Sequence, residues 1–283
     1  MIRPIAMGCA VLLAYAQVGY GLLLAVLVRV LRLPPAIADP DPAAPLPRVA
    51  LIVAAHDEGA VIEAKVRNAR DLDWDPDRLQ IVVASDGSTD DTVARARRFA
   101  GEEALDLKVL TYGANRGKGA AIRTGVLASS GDTILISDTD LSTPLSEWGK
   151  LAERLPMHPV VIGSRALQDD LVRKRQAFHR VLLGRTGNKL IQLLAVPGIQ
   201  DTQCGFKLFR GDAARDLFRA ARIDRFAWDV EILYLARRRG LAIAEVPVLW
   251  FNSPESKVRV VRDAIQTLWD VLRIRWLHAG RAA

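Results

Sequence analysis

The chain has 283 residues, the length of one or two domains. Its composition, 50% apolar and 25% charged, is typical of a folded protein and excludes an intrinsically disordered chain. The 39 Lys and Arg residues exceed the 32 Asp and Glu residues, and a net charge of +7 favours anionic partners such as phosphates, nucleic acid or acidic lipid. The two cysteines, Cys9 and Cys204, exclude a disulfide framework and a cysteine-rich zinc site.

The N-terminal segment predicts a membrane span. Residues 4–28 carry no charged side chain, and a helix of that length covers ~37 Å, more than the ~30 Å hydrocarbon layer. A cleaved signal peptide, the alternative, would have a shorter apolar region and a small-residue cleavage site. Because Arg29 and Arg32 outnumber Arg3, we expect a transmembrane anchor over 1–33 and a single-pass membrane protein whose main domain is cytoplasmic.

A linker and an alternation of strands and helices follow. Six prolines in 34–47 predict an extended, semi-rigid linker. Beyond it, this alternation predicts an α/β fold with a mostly parallel sheet, helices on both faces and ligands beyond the carboxyl ends of the strands. The predicted strands are 48–55, 79–84, 107–111, 133–137 and 160–163, and the predicted helices are 59–71, 90–100, 117–128 and 144–155.

Acidic residues follow three of the predicted strands. Two carboxylates directly after a buried strand can both reach one hard cation, so Asp138 and Asp140 predict a site for Mg²⁺ or Mn²⁺ that is completed by substrate phosphates. An isolated Asp-x-Asp is more often a capped turn, but acids at the neighbouring strand ends favour the metal site. Those neighbours are Asp57, Glu58 and Asp86.

A glycine-rich turn, Gly113–Gly119, opens the third predicted helix. It fits neither the P-loop pattern nor the dinucleotide fingerprint. We interpret it as a tight turn from which Lys118 or backbone amides face a diphosphate.

The motifs together resemble family 2 glycosyltransferases with the GT-A fold, in the dolichyl-phosphate β-glucosyltransferase or polyprenyl-phosphate glycosyltransferase branch. The similarity covers roughly residues 48–275. The motifs that carry it are Ala54-Ala-His-Asp-Glu58, Ser85-Asp-Gly-Ser-Thr-Asp90, Asn115-Arg-Gly-Lys-Gly119, Asp138-Thr-Asp140, Gly163-Ser-Arg165, Asp201-Thr-Gln-Cys-Gly-Phe-Lys-Leu-Phe209, Trp228-Asp-Val-Glu231, Glu245-Val-Pro-Val248 and Ser256-Lys257-Val258.

The resemblance implies inverting transfer of a hexose from a nucleotide sugar to a dolichyl or undecaprenyl phosphate. Mannose synthases of this kind commonly have Gln where this chain has Ser142, which favours glucose from UDP-glucose over mannose from GDP-mannose. The residues that would bind the donor are Ala55, Asp57, Glu58, Asp86, Gly87, Lys118 and Asp138, and Asp138 and Asp140 would hold the metal.

The acceptor phosphate is already a nucleophile, so it needs cations rather than a general base. Residues 171–200 contain no acid, and arginine gives paired donors to phosphate oxygens. A solvated basic face is the alternative. We expect Arg165, Arg175, Arg180 and Lys257 to bind the acceptor phosphate. Asp138, Asp140, Arg165 and Arg180 form the predicted catalytic set, and Asp201, Gln203 and Asp229 are expected to organise the sugar pocket or the arginines.

We assign 48–256 to the glycosyltransferase domain and 257–283 to an amphipathic C-terminal helix. This helix either packs on the domain or lies at the membrane interface. Its apolar stripe comprises Val261, Ile265, Leu268, Leu272 and Trp276.

Three other functions fit the sequence less well. A processive polysaccharide synthase needs several spans and a Gln-x-x-Arg-Trp motif, but Leu272 stands in place of its Gln. A sugar nucleotidyltransferase carries a different glycine-rich signature. A membrane-tethered module that binds acidic lipid or nucleic acid without catalysis explains the charge and leaves the ordered acids unexplained.

Overall fold

The computed structural model describes residues 46–103, 105–168, 171–173, 187–251 and 260–280, with the backbone alone at 172–173 and 260–264. The predicted anchor, most of the predicted linker, and the predicted phosphate ligands Arg175, Arg180 and Lys257 lie outside these ranges. No helix among the described residues is long and apolar enough to cross a membrane.

Seven strands form one sheet in the order β3-β2-β1-β4-β7-β5-β8. Strands β1 to β4 are parallel, β7 runs antiparallel between β4 and β5, and β5 pairs in parallel with β8. Strands β6 and β9 form a separate two-stranded sheet. The strands are β1 (Val49–Ala55), β2 (Leu79–Ser85), β3 (Leu107–Thr111), β4 (Thr133–Ile136), β5 (Val160–Ser164), β6 (Val172–Arg173), β7 (Lys207–Arg210), β8 (Ile243–Pro247) and β9 (Trp250–Phe251).

Helices cover both faces of the large sheet. They are α1 (Ile62–Arg70), α2 (Thr92–Glu102), α3 (Lys118–Ala128), α4 (Trp148–Ala152), α5 (described over 187–194), α6 (Gly211–Ala220), α7 (Trp228–Arg238) and α8 (Val260–Leu277). Short 3₁₀ turns occupy Pro76–Arg78 and Leu145–Glu147.

The period-two alternation of β1 creates two hydrophobic cores. Val49, Leu51 and Val53 face α1, α2 and α4, whereas Ala50 and Ile52 face α3, α6 and α7. Helix α3 lies very close to the sheet, because a Cβ on Gly125 would meet the Ile52 side chain at 2.6 Å. The two cores hold the sheet rigid beneath the loops at its carboxyl edge.

The mostly parallel α/β fold is confirmed, with element bounds close to those predicted. The predicted helix 144–155 is shorter: a 3₁₀ turn leads into α4, which ends at Ala152. Helix α2 begins at Thr92 rather than at 90, because the Asp90 carboxylate accepts a hydrogen bond from the Thr92 amide. No strand was predicted at β7, whose antiparallel insertion is the main departure from a simple alternation.

The C-terminal helix forms but turns a different face to the domain. Thr267, Val271, Ile274 and His278 are buried. Of the predicted stripe, every described member is exposed, namely Ile265, Leu268, Leu272 and Trp276. Of the two alternatives for this helix, packing of this stripe on the domain is therefore wrong, because the face with Val271 and Ile274 packs there, in one core with residues of α7.

A buried acid on α7, Glu231, links α8 to the rest of the domain. Glu231 on α7 is fully buried and accepts hydrogen bonds from the Arg222 and Ile223 amides and, at 2.8 Å, lies against Nε2 of His278. It therefore joins the loop before α7 to the end of α8.

We expect Glu231→Ala to lower the free energy of unfolding by ~3–5 kcal/mol, because it leaves buried donors without an acceptor. Urea unfolding measures the change. Glu153→Ala, at an exposed acid after α4, is the matched control and should stay within ~0.5 kcal/mol of the parent chain. Equal effects of the two substitutions would contradict the role given to Glu231.

Candidate active site

The direction of the strands decides which residues meet. Because β1, β2, β4 and β5 all run the same way, the loops that follow them lie at one edge of the sheet. Strand β7 runs the opposite way, so the residues before it reach the same edge. The edge therefore collects the loops at 56–61, 86–91, 137–144, 165–168 and 201–206.

The loops after β1 and β2 brace each other. The Thr89 amide donates to Oδ1 of Asp57 at 2.8 Å, and this hydrogen bond is the main reason that the pKa of Asp57 lies below its ordinary value. The Asp86 amide donates to the Ala55 carbonyl at 2.8 Å, and the Glu58 amide donates to Oγ1 of Thr92. The predicted donor-binding residues of the two loops thus form one braced surface.

Asp86 shapes the turn between β3 and α3. Its carboxylate accepts hydrogen bonds from the Tyr112 hydroxyl at 2.9 Å and from the amides of Arg116 at 2.7 Å and Gly117 at 2.8 Å. Gly87 has φ +61° and packs so tightly that a Cβ would lie 2.6 Å from the Ala114 backbone. The loop that presents Lys118 is consequently held by an acid of the neighbouring strand.

Lys118 and Asp138 form the central ion pair of the edge, with Nζ and Oδ1 separated by 2.6 Å. Burial alone would raise the pKa of Asp138, but Lys118, with Lys207 and Lys65, outweighs burial and holds this pKa below its ordinary value. Asp140 is exposed, and its Oδ1 accepts a hydrogen bond from the Ser142 amide. Asp138 therefore contacts a cation and is partly exposed, and Asp140 is open to solvent.

Gly205, just before β7, leaves space for the Asp138 carboxylate because it has no side chain. A Cβ on Gly205 would fall 2.0 Å from Oδ2 of Asp138. Any side chain at this position would push the carboxylate away from the edge.

A second buried pair lies behind the first. Lys207 and Asp229 are separated by 2.6 Å, and Nζ of Lys207 lies 5.3 Å from the centre of the Trp228 ring. Burial raises the pKa of Asp229 despite the opposing effect of Lys207. The structure thus places Asp229 in a buried charge network rather than on an open sugar pocket.

Arg165 is held by Asp201 through two parallel hydrogen bonds. Nε donates to Oδ2 at 2.7 Å and Nη2 donates to Oδ1 at 2.8 Å, while the guanidinium lies 5.5 Å from the centre of the Trp250 ring. Glu245 in turn accepts a hydrogen bond from the Asp201 amide. Of the two alternatives given for Asp201, the structure places it against the arginine, and Gln203 is exposed nearby, its amide donating to Asp201.

Among the described residues, no group of three His, Cys, Asp or Glu side chains could hold a metal by itself. A cation at Asp138 and Asp140 would need further ligands from a substrate. Cys204 is buried, and burial raises the pKa of its thiol to about 11, which fits an inert core residue.

Sequence reasoning missed five residues that build the edge. Gly205 and Lys207 lie inside the Asp201–Phe209 motif. The role of each depends on the place of β7 in the sheet, which brings the residues before this strand to the edge. The other three act across long sequence separations. They are Lys65, Tyr112 and Trp250.

Comparisons with known proteins agree with this geometry. The family model for Glycosyl transferase family 2 matches residues 50–218. The chain belongs to this family. Two curated relatives are dolichyl-phosphate beta-glucosyltransferases: that of Homo sapiens is 38% identical over 205 residues, 69% of this chain and 63% of the relative. That of Dictyostelium discoideum is 37% identical over 209 residues, 70% of this chain and 63% of the relative. The match thus spans less than two thirds of either relative.

Solved structures of other glycosyltransferases share the fold. Mannosyltransferase PcManGT from Pyrobaculum calidifontis, in complex with GDP-Man and Mn²⁺, superposes with a TM-score of 0.60 at 23% identity over 97% of this chain and 76% of its own. Glucosyl-3-phosphoglycerate synthase from Mycobacterium tuberculosis, in complex with Mn²⁺, UDP-glucose and phosphoglyceric acid, superposes with a TM-score of 0.60 at 19% identity. The superposition covers 81% of this chain and 79% of that structure's chain. The predicted GT-A fold of this family 2 glycosyltransferase is confirmed.

We expect Gly205→Ala to lower the free energy of unfolding by ~1–3 kcal/mol, because the new Cβ overlaps the Asp138 carboxylate. Gly149→Ala is the matched control: a Cβ there meets nothing within 4 Å, and alanine in a helix favours stability by ~0.5–1 kcal/mol. Denaturant unfolding of both variants makes the comparison. A Gly205→Ala variant as stable as Gly149→Ala would show that Asp138 is not confined by this contact.

Proposed function

We propose that this glycosyltransferase transfers glucose from UDP-glucose to a polyprenyl phosphate, with inversion at the sugar carbon. The observation that carries the proposal is the Asp138–Asp140 pair beside Lys118 at the carboxyl edge of the sheet. The choice of glucose and of a dolichyl-type acceptor is supported by the names of the two relatives, and transfer of mannose from GDP-mannose is the competing outcome.

The residues present fit a divalent cation. Two carboxylates are hard ligands suited to Mg²⁺ or Mn²⁺. The pKa of Asp138 lies below its ordinary value, so its carboxylate is ionised at neutral pH. Gly205 has no side chain that would overlap this carboxylate. Asp138 and Asp140 would hold the cation, which when bound neutralises charge that develops on the departing diphosphate.

The donor binds across the braced loops. Asp57, Glu58 and the loop held by Asp86 offer hydrogen-bond partners for the nucleoside, in keeping with the family resemblance. Lys118 lies at the start of α3, where backbone amides and the helix dipole also favour a phosphate. Its ammonium now contacts Asp138, so it is positioned to donate to a diphosphate that arrives beside that acid.

The chemical step needs no base from the protein. An oxygen of the ionised acceptor phosphate attacks C1 of the sugar, a new C1–O bond forms, and the old bond to the diphosphate breaks with its electron pair. No proton moves in this step. Arg165, held rigid by Asp201, supplies a fixed cation that offsets repulsion between the two phosphates.

The proposed site of action is the cytoplasmic face of a membrane, where the acceptor lipid resides. Helix α8 supports contact with a membrane surface: its exposed face carries Trp269, exposed by 60%, and Trp276, exposed by 77%. Nη1 of Arg275 contacts the Leu194 carbonyl, so α5, with Leu193 exposed, lies beside it.

The charges of these two helices match an anionic bilayer. Over 187–200 and 260–280 the acids are Asp263 and Asp270, and Asp270 is buried. The exposed cations Lys189, Arg273 and Arg275 flank the apolar side chains. Aromatic rings and basic side chains on one helix face are typical of segments that lie in the interface plane.

We expect Asp140→Asn to reduce transfer at least ~100-fold, because the cation loses a ligand and the leaving diphosphate its charge compensation. The assay is the organic-extractable label formed from radiolabelled UDP-glucose by the full-length protein in liposomes that contain polyprenyl phosphate. Asp140 is exposed, and asparagine keeps an oxygen that can accept from the Ser142 amide, so the melting temperature should change little.

Asp73→Asn, at an exposed acid far along the chain from the motif, is the matched control and should transfer normally. Near-normal transfer by Asp140→Asn would remove the metal pair from the mechanism. Label from GDP-mannose but not UDP-glucose would keep the reaction class and overturn the choice of sugar.

For the membrane face, we expect a nitroxide at Leu272→Cys to be more accessible to oxygen than to a water-soluble nickel chelate in proteoliposomes. Met157→Cys, at another exposed apolar residue, should show the opposite preference. Both labels are placed in a full-length chain with Cys9→Ser and Cys204→Ala. The same accessibility at both positions would contradict contact between α8 and lipid.

A further inference from the structure

A buried lysine lies behind the Asp-x-Asp motif. Lys65 on α1 is fully buried, on the helix face that also buries Ile62 and Val66. Its Nζ donates a hydrogen bond to Oγ of Ser137 at 2.7 Å. Ser137 directly precedes Asp138, so an ammonium group lies immediately behind the acids proposed to hold the cation.

This position is costly for a charge. Taking an ammonium out of water costs several kcal/mol, and a single hydrogen bond to a neutral hydroxyl offsets only part of it. Burial lowers the pKa of Lys65 to about 8, while the charges of Asp138 and Asp140 oppose this effect. The two acids therefore compensate the lysine through space, and the lysine acts on them in return.

Lys65 differs from Lys118 in one respect. The side chain of Lys118 is 29% exposed and contacts Asp138 directly, so it can leave the acid when a diphosphate arrives. Lys65 is fully buried, and its Nζ is held by Ser137. A divalent cation that enters the acid pair therefore meets an ammonium group that stays behind the acids.

We propose that Lys65 is a positioning residue that weakens the affinity of Asp138 and Asp140 for a free divalent cation. A cation is then held firmly only when the donor diphosphate adds its own oxygen ligands, and it leaves together with the nucleoside diphosphate product. This inference rests on the proposed function, because it assumes a cation at the acid pair.

The test measures binding of Mn²⁺ alone, without nucleotide, to the full-length protein by the electron paramagnetic resonance signal of free Mn²⁺. We expect Lys65→Gln, which can still donate to Ser137 but has no charge, to lower the Mn²⁺ dissociation constant on the order of tenfold. Lys65→Met is the second neutral variant, to be used if Lys65→Gln does not fold.

Ser137→Ala is the matched control: it removes the hydrogen bond, and at about pH 6, below the pKa of about 8 that burial gives Lys65, the lysine keeps its charge, so all variants are compared at that pH. We expect its Mn²⁺ dissociation constant to stay within about twofold of that of the parent chain, because the effect acts through space. Unchanged or weaker Mn²⁺ binding in the neutral variants would overturn the inference, as would a gain in Ser137→Ala equal to theirs.

A parallel measurement on Asp140→Asn separates the two proposals. If this variant loses Mn²⁺ binding while Lys65→Gln behaves like the parent chain, only the inference about Lys65 fails. If Asp140→Asn binds Mn²⁺ like the parent chain, the cation does not use the acid pair and the proposed function fails.

Discussion

Charge compensation at one edge of the sheet is the constraint on which the rest of the structure depends. Burial opposes the charge of Asp138, and nearby cations outweigh burial and hold the pKa of this acid below its ordinary value. Lys118 contacts Asp138 from the open side, while Lys65 and Lys207 act from the buried side. Each lysine comes from a different element, so the acid pair exists in this form only in the complete fold.

The alternation of strands and helices in the first half could be predicted because each element carries its own period. Strand β1 buries alternate residues on two faces, and α1 buries Ile62, Val66 and Ala69 at helical spacing. Strand β7 was not predicted, since its four residues include Lys207 and Arg210 and show no alternation. Its place between β4 and β5 is decided by pairing with strands far away in the sequence.

The residues of the site divide in the same way, into those that local sequence predicts and those whose position depends on distant contacts. Asp138, Asp140 and Lys118 could be predicted because each lies directly at the end of a strand or the start of a helix. The burial of Lys65 could not, because its partner Ser137 is 72 residues away. The apolar stripe of α8 was visible in the sequence, but which face packs depends on the partners. Val271, Ile274 and His278 pack beside α7, which leaves the larger side chains exposed.

The most direct test of the central claim is a crystal structure of the protein with Mn²⁺ and UDP-glucose. We expect Mn²⁺ bound by oxygens of Asp138 or Asp140 and of the diphosphate, with Lys118 moved from Asp138 to the diphosphate. A bound donor with Lys118 still paired to Asp138, and Mn²⁺ absent from the acid pair, would contradict the central claim.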